Sequence, residues 1–174
     1  MVIGRKALIS SWVGLIGLFF LAPPGPIQAQ TLAVGGQVTL NRDLEEDNTW
    51  GFGPRAVFGI PLTGISLQAT ADFYSPGCGT GDCDLRDVGI NLLWSLPVPY
   101  VANPYFGAGL AMQEWSGDRE GGDDTDYGVN FLAGVVLQGP TFQRFQPFVE
   151  AKYQAMQDFD AQLVFSGGIL LKIL

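Results

Sequence analysis

From residue 32 onward, apolar positions alternate with polar or small ones at every second residue, in eight separate segments. The first carries Leu32, Val34, Val38 and Leu40, with Gln37 and Thr39 between them. The second sets Phe52, Ala56, Phe58 and Ile60 against Gly51, Gly53, Arg55 and Gly59, and the third sets Ile65, Leu67, Ala69, Ala71 and Phe73 against Ser66, Gln68, Thr70 and Asp72. The fourth runs Val88, Ile90, Leu92, Trp94 and Leu96, the fifth Phe106, Ala108, Leu110 and Met112, and the sixth from Tyr127 through Val129, Phe131, Ala133 and Val135 to Leu137. The seventh alternates Phe145, Val149, Ala151 and Tyr153 with Gln146, Glu150, Lys152 and Gln154, and the eighth holds Leu163, Phe165, Ile169, Leu171 and Ile173. A period of two is that of a strand whose two faces meet different surroundings.

The eight apolar faces carry one charged residue, Glu114, at the end of the fifth segment. Contact with lipid demands such purity, because a charge at mid-bilayer costs about 2–4 kcal/mol. Segments of about eleven residues, tilted by about 45°, cover the roughly 25 Å apolar belt of a membrane barrel. The expected fold is therefore all-β: an eight-stranded antiparallel up-and-down transmembrane β-barrel. Connections support it, since the polar stretches 41–49, 75–85 and 116–126 are long while 61–64, 97–103 and 139–144 are short, the asymmetry of outer-membrane barrels. Only 157–161 is short on the side of the long ones. An even strand number puts both termini at one end, which this asymmetry makes the periplasmic end.

The second face is rich in glycine, with Gly35, Gly51, Gly53, Gly59, Gly89, Gly107, Gly109, Gly128, Gly134 and Gly168 on it, as a narrow lumen filled by side chains requires. Pro54 and Pro147 fall inside segments and cannot donate to a ladder; Pro147 lies near a strand start, and Pro54 predicts a bulge.

Ahead of the alternating region, Arg5 and Lys6 precede an apolar run from Ala7 to Ala22 and a Pro23-Pro24-Gly25-Pro26 stop. That layout reads as a signal peptide, residues 1–29, cut after Ala29 to leave the barrel domain 30–174. Composition narrows the function. The 174 residues include no His, which removes Ser-His-Asp and Cys-His nucleophile systems, and the 9 Lys and Arg among a net charge of −8 leave no stripe for nucleic acid.

Three stretches carry a family resemblance: Asn103-Pro104-Tyr105-Phe106-Gly107-Ala108-Gly109, Pro147-Phe148-Val149-Glu150-Ala151-Lys152-Tyr153, and the C-terminal segment. They resemble the small eight-stranded outer-membrane β-barrels with an OmpA-like transmembrane domain. The end is similar to that family's assembly signal, through Ser166, Gly168, Leu171 and Ile173, although the last residue is Leu174 where the family has an aromatic one. The resemblance implies a bacterial outer-membrane location and a barrel-assembly machinery as partner during insertion. It says little about activity.

Candidate chemistry lies in four places. Arg55, Glu150 and Lys152 fall on the inner face near mid-height and read as a salt-bridged plug, with a proton or ion relay as the competing reading. Asp72 and Asp87 are expected at the outer rim and Lys172 at the opposite one, all solvated. Cys78 and Cys83 share one connection and, in an oxidising compartment, read as a loop disulfide. The connections gather Asp43, Glu45, Glu46, Asp47, Asp82, Asp84, Asp118, Glu120, Asp123, Asp124, Asp126, Asp158 and Asp160 at one end. Within this crown, Asp123, Asp124 and Asp126 are a weak candidate for Ca²⁺, alone or bridging to lipopolysaccharide phosphates. Trp50, Trp94, Trp115, Tyr100, Tyr105 and Phe142 near segment ends read as interfacial aromatic girdles.

The resulting expectation is a non-enzymatic barrel without cofactor, in contact with outer-membrane lipids and lipopolysaccharide, with a structural or surface role toward an extracellular partner. A narrow channel for small or apolar solutes is the alternative. Lipid A-modifying barrels need a His that is missing, and a lipocalin-like carrier would invert the two faces.

Overall fold

The computed structural model describes residues 31–42, 48–78, 81–96, 101–117, 124–139, 142–158 and 160–173. Among them are nine strands: β1 Thr31–Asn41, β2 Thr49–Gly59, β3 Ile65–Tyr74, β4 Gly77–Cys78, β5 Gly81–Ser95, β6 Ala102–Gly117, β7 Asp124–Leu137, β8 Phe145–Met156 and β9 Gln162–Lys172. The two-residue β4 only folds back on the start of β5. The other eight pair antiparallel with their neighbours in sequence, and β1 pairs with β9, so the sheet closes into an eight-stranded barrel. The signal-peptide reading concerns residues 1–29, outside those described.

Register fixes the shape. Stepping across directly paired residues from Thr31, the path runs Gly59, Ser66, Leu93, Gly107, Leu132, Lys152 and Val164, and re-enters β1 at Asn41, ten residues above its start. A shift of about 33 Å along the strands over a width of about 38 Å across all eight tilts them by about 41°, which makes the circumference about 50 Å and the backbone radius about 8 Å. Such a tube has room for side chains and little else.

The two faces fall as the alternation predicts. Val38, Phe52, Leu92, Leu110, Phe131 and Val149 are exposed on the outer wall, while Gln37, Arg55, Gln68, Asn91, Asn130 and Glu150 are buried in the lumen. The ladders run further than the apolar pattern, however. β5 begins at Gly81 and β6 ends at Gly117, so parts of the expected connections 75–85 and 116–126 are strand. Here the outer face turns polar: Arg86 pairs with Glu114 in register, and their charges lie 3.9 Å apart and exposed. A strand that has left the apolar belt keeps its backbone pairing but loses the period that announced it.

Pro54 makes no bulge. Pairing of β2 with β3 lapses at Gly53 and Pro54, then resumes at Arg55 and Thr70 in the same register, while Pro54 stays opposite Gly36 on the β1 side. The missing N–H is absorbed by an interruption of one ladder. Pro147 sits near the start of β8, opposite Ile169.

Candidate functional site: the lumen

Side chains from all eight long strands fill the lumen in layers. Toward the terminal end, Ala33, Phe148 and Leu170 form one apolar cluster and Leu93, Tyr105 and Leu132 a second, with Val57 and Val136 packed against both. Toward the opposite end, Tyr74, Leu85 and Trp115 form a third. A polar layer lies between. The expectation of larger inner residues that are mostly polar holds for this middle only, because apolar side chains pack on the lumen face toward each end.

In the middle layer, Arg55 on β2 reaches Glu150 on β8, with Nη2 to Oε2 at 2.7 Å. The same carboxylate oxygen accepts bonds from the Tyr105 hydroxyl at 2.8 Å and from Gln68 Nε2 at 3.1 Å. Arg55 also donates to Gln37 Oε1 at 3.3 Å and to the Tyr105 hydroxyl oxygen at 3.0 Å, and its guanidinium lies 4.0 Å from the centre of the Phe148 ring. From Gln37 the network continues to both oxygens of Asp72, and from Gln68 through Asn91 to Asn130. The planar guanidinium suits this crossing because it serves several acceptors and an aromatic face at once.

Lys152 belongs to a separate group. It lies one inward step above Glu150 on β8, and its Nζ is 2.8 Å from Asp87 Oδ2, while Gln154 donates to the other Asp87 oxygen at 3.1 Å. Higher still, Gln113 and Gln162 exchange two bonds and Asn41 joins them at 2.8 Å.

Asp72 and Asp87, expected to be solvated at the rim, are each 1% exposed. The strands rise past them, and the Tyr74, Leu85 and Trp115 cluster covers them, so they act as the inner anions that the network needs. Lys172 is exposed, as expected. Two girdle expectations also need correction: Tyr105 and Trp115 face inward and are buried, whereas Trp50 and Trp94 lie exposed on the outer wall. Their parity in the alternation carried that information, since Tyr105 and Trp115 are odd neighbours of the outward Phe106 and Glu114. Phe142 is half-buried in a turn, and Tyr100 lies outside the described residues.

Cys83 is buried and is not a free thiol, while the side chain of Cys78 lies outside the described residues. Of the weak calcium candidates, Asp124 accepts the Thr125 amide and Asp126 accepts the amides of Tyr127 and Asp158; Asp123 is not among the described residues. The residues of the assembly-signal resemblance divide by face. Ser166 and Gly168 turn inward on β9, opposite Glu150 and Phe148, and Leu171 and Ile173 are exposed outside.

No family model matches the chain, and no curated protein does. Solved structures do. Neisserial surface protein A (NspA) is similar over 84% of this chain and 98% of its own, with a TM-score of 0.61 at 17% identity. The N-terminal β-barrel domain of Pseudomonas aeruginosa OprF is similar over 83% of this chain and 100% of its own, with a TM-score of 0.61 at 15% identity. Ail, the attachment invasion locus protein of Yersinia pestis, solved with the heparin analogue sucrose octasulfate, is similar over 83% and 97%, with a TM-score of 0.57 at 10% identity. At these identities the likeness shows the eight-stranded barrel fold.

Proposed function

We propose that this chain is a non-enzymatic barrel of the bacterial outer membrane whose lumen is shut, with a structural or surface-interaction role. The observation that carries the reading is the filled lumen: two hydrogen-bonded ionic groups, Arg55 with Glu150 and Lys152 with Asp87, that lie between apolar clusters. A solute path would have to break buried ion pairs and displace packed rings, and both are costly. The outer wall supports the membrane setting, since its apolar belt ends where Arg86 and Glu114 begin. The barrels of similar fold named above include a surface protein and an attachment protein.

In this reading the termini face the periplasm and the acidic connections face outward. Lipopolysaccharide surrounds the upper belt, the barrel-assembly machinery reads the C-terminal strand, and an extracellular partner meets the acidic crown. A disulfide from Cys83 to Cys78, the chain's other cysteine, stiffens the β4–β5 ribbon. The absence of His argues against the lipid A-modifying chemistry of barrels that rely on that residue.

Single-channel recording of the folded, heat-modifiable protein in planar bilayers tests this reading. The wild type is expected to give no conductance steps, and Arg55→Ala to give brief steps at most, because the apolar clusters remain. Steady wild-type conductance would overturn the shut barrel in favour of a narrow channel.

A further inference from the structure

One region of the outer wall is recessed. Ala133 on β7 and Ala151 on β8 stand directly opposite each other, near the middle of the apolar belt. The next residues outward from this pair are large: Phe106 opposite Ala133 on β6, Phe165 opposite Ala151 on β9, and the cross-strand pair Phe131 and Tyr153 one outward step above. All four are exposed. The two alanines are thus the floor of a shallow slot with aromatic residues at three of its sides, of which Phe165 lines it directly. On the fourth side it continues over Val135 and Val149 toward Leu137 and Pro147, where the belt ends at the terminal side of the barrel. The upper stretch is a groove of about 410 Å³ and the lower stretch a groove of about 120 Å³, with Val135 and Val149 common to both.

The direction of the slot identifies what fills it. From Ala151 to Pro147, four residues along β8, it runs about 13 Å, which at a tilt of about 41° covers about 10 Å of depth, the larger part of half a hydrocarbon core about 30 Å thick. Phe131 and Tyr153 stand beyond its mid-membrane end and the other end is open, so an occupant enters from the leaflet at the terminal end. A second copy of this barrel would fit poorly over the slot, because a two-fold contact centred on it sets slot against slot and leaves a void between two recessed floors.

Charge at the open edge points the same way. Arg144 lies just before β8, and Lys172 is held beside it by a 2.9 Å bond from its backbone N–H to the Arg144 carbonyl; both side chains are exposed at the rim, on the residues that alternate with the outward Phe145 and Leu171. The strand ends and connections on this side, residues 59–66, 95–105 and 136–147, carry no Asp or Glu, whereas the other end carries the acidic crown. An anionic headgroup is therefore attracted to the open edge and repelled from the opposite rim.

We propose that the slot between β7, β8 and β9 seats one acyl chain of a phospholipid from the leaflet at the terminal end, whose phosphate meets Arg144 and Lys172. This rests on the membrane-barrel reading above. The phospholipid is then an annular lipid held in place by shape at one position of the wall, while the rest of the belt meets freely exchanging chains.

Electron paramagnetic resonance tests it, with phosphatidylglycerol spin-labelled near the methyl end of one chain and the full barrel inserted in phosphatidylcholine vesicles. The wild type is expected to hold one motionally restricted chain per barrel more than Ala151→Phe or Ala133→Phe, which fill the floor. Ala69→Phe, on the outer face of β3, should match the wild type. Replacing both cations (R144Q with K172Q) should abolish the preference for phosphatidylglycerol over labelled phosphatidylcholine while keeping the restricted chain. An inserted wild type with no more restricted lipid than Ala151→Phe overturns the slot alone, and a chain that fails to insert overturns the barrel reading with it. Restriction of spin-labelled lipid A in place of the phospholipid, or a cross-linked dimer lost in Ala151→Phe, would also overturn the proposal.

Discussion

Asp72 on β3 and Asp87 on β5 are directly paired across the ladder, and both point into the lumen. Like charges in such a position repel, and no solvent screens them here. What keeps the pair is the division of partners: Gln37 donates to both oxygens of Asp72, while Lys152 and Gln154 each take one oxygen of Asp87. The middle layer is thus a set of assignments in which each anion has its own donors.

Lys152→Met removes the cation from this arrangement and leaves Asp87 buried against Asp72. Unfolding in urea from lipid vesicles should show a loss of about 3–5 kcal/mol. Adding Asp87→Asn should restore much of it, and a double variant no better than Lys152→Met would mean that the lysine acts through its packed stem.

Arg55→Ala should cost a similar 3–5 kcal/mol or so, because Glu150 then keeps only Tyr105 and Gln68 as donors. Arg55→Met combined with Glu150→Leu should lie much nearer the wild type, since the charges then leave together. A double variant as unstable as the single one would show that the pair contributes more than it costs to bury.

Two inward glycines make room for rings. A Cβ at Gly51 would lie 2.5 Å from the Tyr74 ring, and one at Gly134 would meet the Tyr105 hydroxyl. Gly51→Ala should destabilise the barrel by about 1–3 kcal/mol. The same change in a Tyr74→Leu background should cost clearly less, measured as the shift in the heat-modification midpoint.

Depth on the outer wall gives the sharpest contrast. Leu92→Arg places a charge within the apolar belt and should cost about 2–4 kcal/mol, whereas Glu114→Ala at its edge should stay within about 1 kcal/mol. Equal effects at the two sites in lipid vesicles would argue against a bilayer around this wall.

The alternation disclosed strand number, faces and closure, because a period of two on eight segments leaves few other solutions. It also placed Arg55 and Glu150 on the inner face near mid-height. The limits of the belt were less legible. β5 and β6 continue as paired strands past Arg86 and Glu114, where the outer face is polar and the period disappears. That extra height is what buries Asp87 and turns Trp115 into a lid. Tyr105 shows a different blind spot: its type suggests an interface, and only its parity reveals that its hydroxyl serves Glu150. Contacts such as Lys152 with Asp87 depend on which strands face each other across the tube, which follows from the ten-residue climb and from no local pattern.

Seven of the eight barrel ladders join strands that follow one another along the chain, and only β1 with β9 joins its two ends. Closing that loop costs the most chain entropy and comes after the local hairpins have formed. Four glycines meet there: Gly35 and Gly36 on β1 face Leu170 and Ile169, and Gly167 and Gly168 on β9 face Val38 and Gln37. Lacking side chains, they leave the two edges little to hold each other by until the ladder itself is complete. The line that finishes the cylinder is therefore the one that the rest of the sheet must first bring into reach, so the completion of the barrel is written into one pair of edges.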